Sequence, residues 1–537
     1  MSELKQRMVI HLLSRRVHTM PLAVLPSTSK PAPFLVSSRS HPSLPAADIP
    51  IASDEEDGKR QMAEAAPPYD SGSTSAEDVV CPPHTTERRI TTRIDSYIIP
   101  FVSVLYLMAF LDRVNIGNAR AFGLEDDLHM GGVEYNTALT IFFVPYIICE
   151  IPSNILIKYL SPRVWLSICC IGFGAVTVFQ GLVQNYGGLL TTRFFLGLFE
   201  CVMFPACFYL LGSWYRRAEA QKRFSLFFSS TSLAGAFGGL LASGIGKMDY
   251  VRGYRGWRWI FILEGTFTVL LGIFFLFTFP SFPEQAKWLR DDEREYVKAR
   301  LRASQGASGA ERKIKLKDVV TVMSDYKIWL GGFMYFGLIV PAYSYAYFAP
   351  TIIQSYKYDP ITTQLRSVPP WVVSFGFSMV VAVFSDWAKH RFLFIIGAIC
   401  ISISGFAILL TVHDNLQVQY AALFLTCMGT YSAMPVIVCW FNMNLAGHHR
   451  RAIGSAWQIG FGNIGGIIST YSFVKEDGPL FTKGYAICVS FICLSVVSCI
   501  LYAGAITWEN RKRSKQVHDL NLTESEKLDL GVHALTL

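Results

Sequence analysis

The sequence predicts an all-α polytopic membrane protein with twelve transmembrane helices in two pseudo-symmetric six-helix bundles. Its 537 residues are 51% hydrophobic but only 16% charged, whereas soluble domains carry roughly 25% charged residues. Apolar runs recur along the chain at about 20 residues, the length that crosses a bilayer as a helix. The segments between these runs alternate in their content of basic residues. Composition, run length and charge alternation together indicate a protein that crosses the membrane many times.

The apolar runs are numbered α1 to α12 in chain order. We place them at 96–118, 136–158, 164–184, 188–212, 224–246, 257–279, 328–353, 369–387, 392–412, 417–440, 452–474 and 484–508.

Five regions follow from these runs. Residues 1–92 are rich in Ser and Pro, hold no spanning run, and are predicted to be a disordered cytosolic tail. Residues 93–280 form the first six-helix bundle, and 328–508 form the second. The basic segment 281–327 is predicted to be a cytosolic linker with short amphipathic helices on the membrane surface. Residues 509–537 are a cytosolic tail.

The distribution of Lys and Arg predicts the orientation. With the amino terminus in the cytosol, most basic residues lie in cytosolic segments, and the first outer loop is acidic. This is the positive-inside bias, and it places both termini in the cytosol. The connection between α5 and α6 is an exception, because it carries Arg252, Arg255 and Arg258. These arginines would either draw anions to an outer vestibule or anchor the chain at the interface beside Trp257 and Trp259.

Several function classes are disfavoured by what the sequence contains. The net charge of +8 is explained by the cytosolic loops, so we expect no nucleic-acid partner. The 12 cysteines show no metal-ligand spacing, and we expect no metal site. No nucleophile–base set or phosphate-binding loop is recognisable, so we do not expect an enzyme. The expected partners are the lipid bilayer and a small molecule.

The two halves of the chain repeat each other. The sequence after α4 begins with Trp214 and passes Arg216 and Arg217 into a helix that reaches Gly238-Gly239. The sequence after α10 begins with Trp440 and leads through Arg450-Arg451 into a helix that reaches Gly465-Gly466. Duplicated six-helix halves with a substrate site between them, near mid-membrane, are typical of secondary transporters.

Two predicted helices, α1 and α4, each carry two charged residues well inside the apolar run. Asp112 and Arg113 lie in α1, while Arg193 and Glu200 lie seven residues apart on one face of α4. At a rise of about 1.5 Å per residue, Asp112 and Arg193 lie at similar depths, and Glu200 lies roughly 10 Å deeper than Arg193. We therefore predict that Asp112 pairs with Arg193, which leaves Glu200 near mid-membrane, facing Arg113. Asn115 adds an amide to the same stretch of α1.

These charges favour ion-coupled transport of an anion. Intramembrane charges are costly and commonly functional. A guanidinium offers a planar fork that matches a carboxylate substrate, so Arg113 or Arg193 would hold the anion, with Asn115 as a further substrate contact. Glu200 would take up and release the coupled proton. The alternative is a static ion pair that holds α1 against α4.

Other polar side chains are weaker candidates for the site. Glu150 lies towards the inner end of α2, where a gating or structural role is favoured. Tyr343 and Tyr347 lie one turn apart on α7 and either stack on a planar substrate or pack structurally. Gln458 and Asn463 lie along α11 and either face a cavity or bond to a neighbouring helix.

Several segments carry a resemblance to a known family. They are LDRVNIGNA (111–119), ALTIFFVPYIICEIPSN (138–154), RFFLGLFE (193–200), GYRGWRWIFILEG (253–265), FPEQAKWL (282–289) and GNIGG (462–466). They resemble the anion:cation symporters of the major facilitator superfamily, in the fungal allantoate permease branch, and are similar to nicotinic acid permeases. The loop after α8, with Asp386 and Arg391, resembles the superfamily's gating motif.

The resemblance implies the major facilitator fold and a function. It implies a proton-coupled transporter in the plasma membrane of a fungus that takes a small organic anion such as nicotinate or allantoate. It assigns proton coupling to Asp112 and Glu200, and anion binding to Arg113 and Arg193. No cofactor is expected beyond the proton gradient, and the expected state is a monomer. An exporter of an acidic metabolite and a transporter-like nutrient sensor remain the alternatives.

Overall fold

The computed structural model describes residues 81–305, 316–388, 390–445 and 448–519, and these residues are almost entirely helical. Of the predicted tails, 1–92 and 509–537, the parts before residue 81 and after residue 519 lie outside the described residues. Within the described parts, helix begins at Glu87 in the first tail and continues to Asp519 in the second. Within the described ranges, long helices occupy all twelve predicted positions. They are α1 Glu87–Ala121, α2 Glu134–Leu160, α3 Pro162–Leu182, α4 Tyr186–Glu200 continued by Met203–Trp214, α5 Arg217–Ile245, α6 Gly256–Thr278, α7 Tyr326–Gln354, α8 Pro360–Ala388, α9 Arg391–Thr411, α10 Leu416–Met443, α11 His448–Thr470 and α12 Thr482–Asp519.

Eleven of the helices in the described part of the chain are long and apolar enough to cross a membrane. The helix α11 falls outside this set, because glycines, serines, Gln458 and Asn463 lower the hydropathy of its sequence. It packs mainly against α7 and α2, so much of its surface contacts protein rather than lipid. The predicted all-helical membrane fold is confirmed.

The two six-helix groups meet along three main helix pairs. The helix α5 packs against α8, α2 against α11, and α1 against α7. Glycines allow close approach at each pair: a Cβ on Gly239 would meet Ser367, one on Gly466 would meet Phe143, and one on Gly117 would meet the Tyr347 carbonyl. The α1–α7 pair brings the Asp112–Arg113 stretch of α1 against the Tyr343–Tyr347 stretch of α7.

The helix α4 is interrupted directly after Glu200. Its first segment ends at Glu200, and the second begins at Met203. Pro205 lacks an N–H group, so it leaves the Cys201 carbonyl without its helical donor, and its ring crowds that carbonyl. The interruption therefore has a local cause, and it places the Glu200 side chain at the end of a helical segment.

The linker helix Asp291–Gln305 is held to the first half by a buried arginine. Arg300 is 1% exposed. Its Nη1 lies 3.1 Å from Glu87 Oε1 at the start of α1, and its Nη2 lies 3.3 Å from Glu219 Oε2 in the first turn of α5. The predicted short linker helices are present as Asp291–Gln305 and Leu316–Met323. We call this end of the bundle the linker end.

Polar contacts also join the two halves at the opposite end of the bundle. Asn136 at the start of α2 donates to the Phe473 carbonyl at 3.3 Å, and the hydroxyls of Thr140 and Thr470 lie 2.6 Å apart. Lys475 Nζ lies 3.5 Å from Glu125 Oε2. The α2–α11 pair is therefore tied at this end.

Ser161, between α2 and α3, has a backbone conformation that favours glycine. Its φ is 66° and its ψ is 148°. Such a conformation costs a non-glycine residue about 1–3 kcal/mol. We expect Ser161→Gly to raise the free energy of unfolding by about 1 kcal/mol, since greater backbone freedom in the unfolded chain offsets part of the relief. Thermal unfolding in detergent measures the effect, with Ser161→Ala as the control that should gain nothing.

Candidate substrate and proton site

Arg113 is the centre of the buried polar group between the two halves. It is 1% exposed, and Glu200 is 0% exposed. Arg113 Nε donates to Glu200 Oε2 at 2.9 Å, and Nη2 lies 2.8 Å from the same oxygen. Arg113 Nη1 donates to the Tyr343 hydroxyl at 2.6 Å. The predicted approach of Arg113 to Glu200 is therefore present, and the same guanidinium links α1 and α4 to α7.

Aromatic rings surround the guanidinium. Its carbon lies 4.9 Å from the centroid of Phe142, 4.8 Å from that of Tyr146 and 5.8 Å from that of Tyr343. Tyr343 in turn stacks on Tyr347, with centroids 5.8 Å apart and an interplanar angle of 15°. Ring faces stabilise a cation without neutralising it. The rings therefore add to the stabilisation that Glu200 gives the buried Arg113 cation, and they bring no further negative charge.

Glu200 is the group that occupies the anion-binding fork of Arg113. Both short contacts use its Oε2, while its Oε1 has no hydrogen-bond partner among the described residues. A carboxylate on a substrate would compete for the same guanidinium donors. The geometry thus makes a substrate anion and the ionised Glu200 alternatives for one cation.

The predicted pairing of Asp112 with Arg193 is wrong. Arg193 Nη1 donates to the backbone carbonyl of Arg113 at 3.0 Å, and neither carboxylate oxygen of Asp112 has a hydrogen-bond partner in the described residues. Depth along the helix was similar, but depth does not determine direction. Consecutive helical residues differ by about 100° around the axis. Arg113 faces α4 and α7, so Asp112 cannot share that direction.

Asn115 contacts an acidic residue that the sequence analysis did not single out. Its amide donates to Glu264 Oε2 on α6, and it accepts from Asn118 at 3.0 Å. Glu264 is 5% exposed. A carboxyl group inside an apolar run is the same signal that identified Asp112, and it was present in the segment 257–279. Asn115, predicted as a substrate contact, is engaged by Glu264.

Glu150, Asn463 and Gln458 lie between helices rather than beside Arg113. Asn463 Nδ2 lies 3.5 Å from Glu150 Oε2, which joins α11 to α2 across the two halves. Gln458 donates to the Gly331 carbonyl of α7 at 3.2 Å. Gln458 thus bonds to a neighbouring helix, which is one of its two predicted alternatives. The Glu150–Asn463 contact fits the gating or structural role predicted for Glu150.

Asp386 and Arg391, predicted as gating or structural residues, contact each other across the turn between α8 and α9. Arg391 Nη2 lies 3.3 Å from Asp386 Oδ1. Both side chains are largely buried, at 8% and 12% exposure. The pair closes the turn that joins two helices of the second half.

Comparison with known proteins adds to this geometry. Residues 102–470 match the family model described as Major Facilitator Superfamily, and the match covers more than half of the chain.

The chain belongs to the major facilitator superfamily.

Similar proteins of this superfamily occur in fungi. The MFS-type transporter cnsO of Penicillium expansum is 31% identical over 453 residues, covering 82% of this chain and 87% of that protein. The high-affinity nicotinic acid transporter of Saccharomyces cerevisiae is 30% identical over 451 residues, covering 84% and 83%. These relatives and the family are transporters, so the chain is a multi-pass membrane transporter and not an enzyme.

A solved structure shows the same fold. The inward-facing, unoccupied crystal structure of a bacterial homologue of the human lysosomal transporter Spinster aligns with a TM-score of 0.57. The alignment covers 76% of this chain and 96% of that chain at 14% sequence identity. The similarity supports the fold, and the site residues rest on the geometry described above.

Proposed function

We propose that this superfamily member is a proton-coupled symporter that moves a small organic monocarboxylate by alternating access. The observation that carries the proposal is the buried Arg113, held by Glu200 and Tyr343 between the two halves. Burying a cation at this position costs free energy, so its presence indicates a function. Exchange of its carboxylate partner between Glu200 and a substrate provides that function.

The exchange links the substrate to a proton. When a substrate carboxylate binds to Arg113, Glu200 loses its cation, and a buried carboxylate without a cation is better accommodated as the neutral acid. Substrate binding therefore favours proton uptake at Glu200. When the substrate leaves, Arg113 is free to recover the ionised Glu200, and the proton departs. Glu200 thus responds to both the substrate carboxylate and the proton.

Alternating access follows from the position of the site. Arg113 and Glu200 belong to the first half, while Tyr343 and Tyr347 belong to the second. A substrate carboxylate that displaces Glu200 from Arg113 would lie beside Tyr343, where the guanidinium now joins the two halves. Rocking of one half against the other would then expose the site to each side in turn. Arg193 supports Arg113 through its backbone carbonyl, and Asp112 contributes to coupling from outside the anion-binding fork.

The substrate class follows from shape and charge. One guanidinium binds one carboxylate, and the stacked pair Tyr343–Tyr347 offers a flat aromatic face beside it. A planar aromatic monocarboxylate fits this combination. Nicotinate is our first candidate, because the similar Saccharomyces cerevisiae protein is a nicotinic acid transporter. Allantoate and related nitrogen-source acids come second. We place the protein in the plasma membrane as a monomer, with both termini in the cytosol.

Glu200→Gln tests the proposed coupling in proteoliposomes. The amide is isosteric but carries no titratable proton. We expect accumulation of labelled nicotinate on an inwardly directed pH gradient to be lost, while counterflow without a gradient continues. The matched control is Glu295→Gln, the same chemical change at an exposed position of the linker helix, which should accumulate substrate like the parent protein. Concentrative uptake by the Glu200 variant would contradict the assignment.

The substrate itself is best identified by uptake of labelled carboxylates into cells that express the chain. Nicotinate, allantoate and other monocarboxylates should be compared with their amides, which cannot pair with Arg113. We expect acids to be taken up and amides to be rejected. Secretion assays on the same cells distinguish import from export.

A further inference from the structure

A second buried acidic group lies on the seam between α1 and α6, outside the Arg113 site. Asn115 of α1 donates to Glu264 of α6, and the Thr268 hydroxyl of α6 contacts the Met108 sulfur of α1 at 3.9 Å. Asp112 lies four residues after Met108 and three before Asn115, so it shares their face of α1. Asp112 is therefore placed between these two contacts, opposite the α6 turn that runs from Glu264 to Thr268.

The two carboxyl groups lie in a sealed environment. Asp112 is 0% exposed and Glu264 is 5% exposed. Both oxygens of Asp112 and the Oε1 of Glu264 have no hydrogen-bond partner within the described part of the chain. The hydroxyls of Thr177 and Thr268 lie near Asp112 and act on it, while their closest contacts are the Phe173 carbonyl at 2.9 Å and the Met108 sulfur at 3.9 Å.

The charged and titratable groups around Asp112 come from three other helices. They are Cys170 of α3, Arg193 and Glu200 of α4, and Glu264 of α6. Arg193 acts on Asp112 only through space, because its Nη1 donates to the Arg113 carbonyl. The cation of the region is thus not bonded to either carboxyl group of the seam.

Two ionised carboxylates cannot both be stable in such a place. Each buried charge without a cation is strongly unfavourable, and two like charges repel each other. At least one proton must therefore be held by the pair. The Asn115 amide donates directly to Glu264 and stabilises a carboxylate rather than an acid. Asp112 has the Thr177 and Thr268 hydroxyls nearby, but neither lies within hydrogen-bond distance of its oxygens, so Asp112 is the weaker site for a negative charge. The first proton is consequently held by Asp112, and Glu264 is the member that can change its state.

We propose that Glu264 is a second proton-binding site of the transport cycle, with Asp112 as its protonated partner and Asn115 as the donor that stabilises its ionised form. The ligand is a proton, and no other cofactor is required. The inference rests on the proposed function, because it needs a proton-driven cycle to act in. It adds one proton per cycle to the proton carried by Glu200.

The seam and the anion site are connected through α1. Asp112 and Arg113 are neighbours in the chain, and Glu200 acts electrostatically on Asp112. Arg193, on the same α4 segment as Glu200, bonds to the Arg113 carbonyl. Protonation of Glu200 when substrate binds offsets the negative charge that the substrate carboxylate brings, so the negative charge moves from Glu200 to the substrate. The movement of α1 between the two access states would then change the environment of both acidic groups together.

The number of coupled protons gives a direct test. With the membrane potential clamped at zero, a one-unit pH gradient is balanced by about a tenfold substrate gradient for one proton and about a hundredfold gradient for two. The quantity to measure is the substrate gradient at which net flux through the full-length protein in proteoliposomes is zero, with labelled nicotinate as the probe. The parent protein should balance near a hundredfold gradient, and Glu264→Gln should balance near tenfold. The glutamine keeps an acceptor for Asn115, and Glu295→Gln is again the matched control.

The outcomes separate this inference from the proposed function. If the parent protein couples protons but balances near tenfold, or if Glu264→Gln still balances near a hundredfold gradient, the second site is overturned while proton coupling stands. If the parent protein shows no proton-driven flux, both proposals fail.

An infrared measurement keeps the proposal testable if Glu264→Gln does not transport. Purified protein in detergent is titrated with acid, and the carbonyl stretch of protonated carboxylic acids is recorded. We expect one titrating component of this band to disappear in Glu264→Gln and to remain in Glu295→Gln. An unchanged titrating band in Glu264→Gln would overturn the assignment.

Discussion

Arg113→Gln is expected to abolish substrate uptake and to lower the stability of the protein. The substitution removes the fork that would hold the substrate carboxylate, and it leaves Glu200 buried without its cation. Loss of one partner of a buried ion pair costs about 3–5 kcal/mol. Uptake of labelled nicotinate and thermal unfolding in detergent measure the two effects. Arg113→Lys keeps the charge but not the fork, so it should unfold closer to the parent protein while uptake remains poor.

The double variant Arg113→Gln with Glu200→Gln separates the two effects. It removes both charges, so neither is left buried without a partner. We expect it to unfold at a higher temperature than Arg113→Gln alone, while uptake remains absent. A double variant as unstable as the single one would show that the Arg113–Glu200 pair does not account for the loss of stability.

Gly117→Ala is expected to impair transport through the contact between the halves. A Cβ at Gly117 would lie 2.5 Å from the backbone carbonyl of Tyr347, so α1 and α7 would have to separate. Overpacking of this kind costs about 1–3 kcal/mol. The cost falls on the state in which α1 and α7 are in contact, so the equilibrium between access states shifts by roughly 5- to 150-fold. Uptake at saturating substrate should fall accordingly.

Gly376→Ala provides the matched control on a surface that faces no protein. Nothing lies within 4 Å of a Cβ placed at Gly376 in α8. The same chemical change should raise helix stability there by up to about 1 kcal/mol, because alanine favours the helix over glycine. Uptake by this variant should match the parent protein. Normal uptake by Gly117→Ala would indicate that α1 and α7 adjust without loss of function.

The positions of the helices could be predicted from the sequence because a membrane imposes a simple rule on it. A span must be apolar for about 20 residues, and its backbone must satisfy its own hydrogen bonds. All twelve predicted positions hold helices, although α1 begins at Glu87 and α12 ends at Asp519, beyond the predicted runs. Polar residues at the helix ends extend the helices without adding hydropathy, so a hydropathy rule misses them.

The buried charges could also be identified from the sequence, but only some of their partners could be predicted. The depth of Arg113 along α1 and that of Glu200 along α4 could both be predicted, because each helix rises by a constant distance per residue. The pairing of Asp112 with Arg193 could not be predicted from depth, because the rotation of each helix about its axis decides which neighbour a side chain contacts. Glu264 went unnoticed although it lies in an apolar run, since its significance depends on the α1 face that it contacts.

The sequence by itself determined that this protein is a helical membrane transporter with costly charges in α1 and α4. Those facts follow from composition and from the free energy of placing ions in hydrocarbon, which act residue by residue. Only the tertiary structure decided that the Arg113 guanidinium also contacts Tyr343, whereas Asn115, on the same face of α1 as Asp112, contacts Glu264. That choice depends on helix rotation and packing across α1, α4, α6 and α7, which no local pattern in the chain specifies.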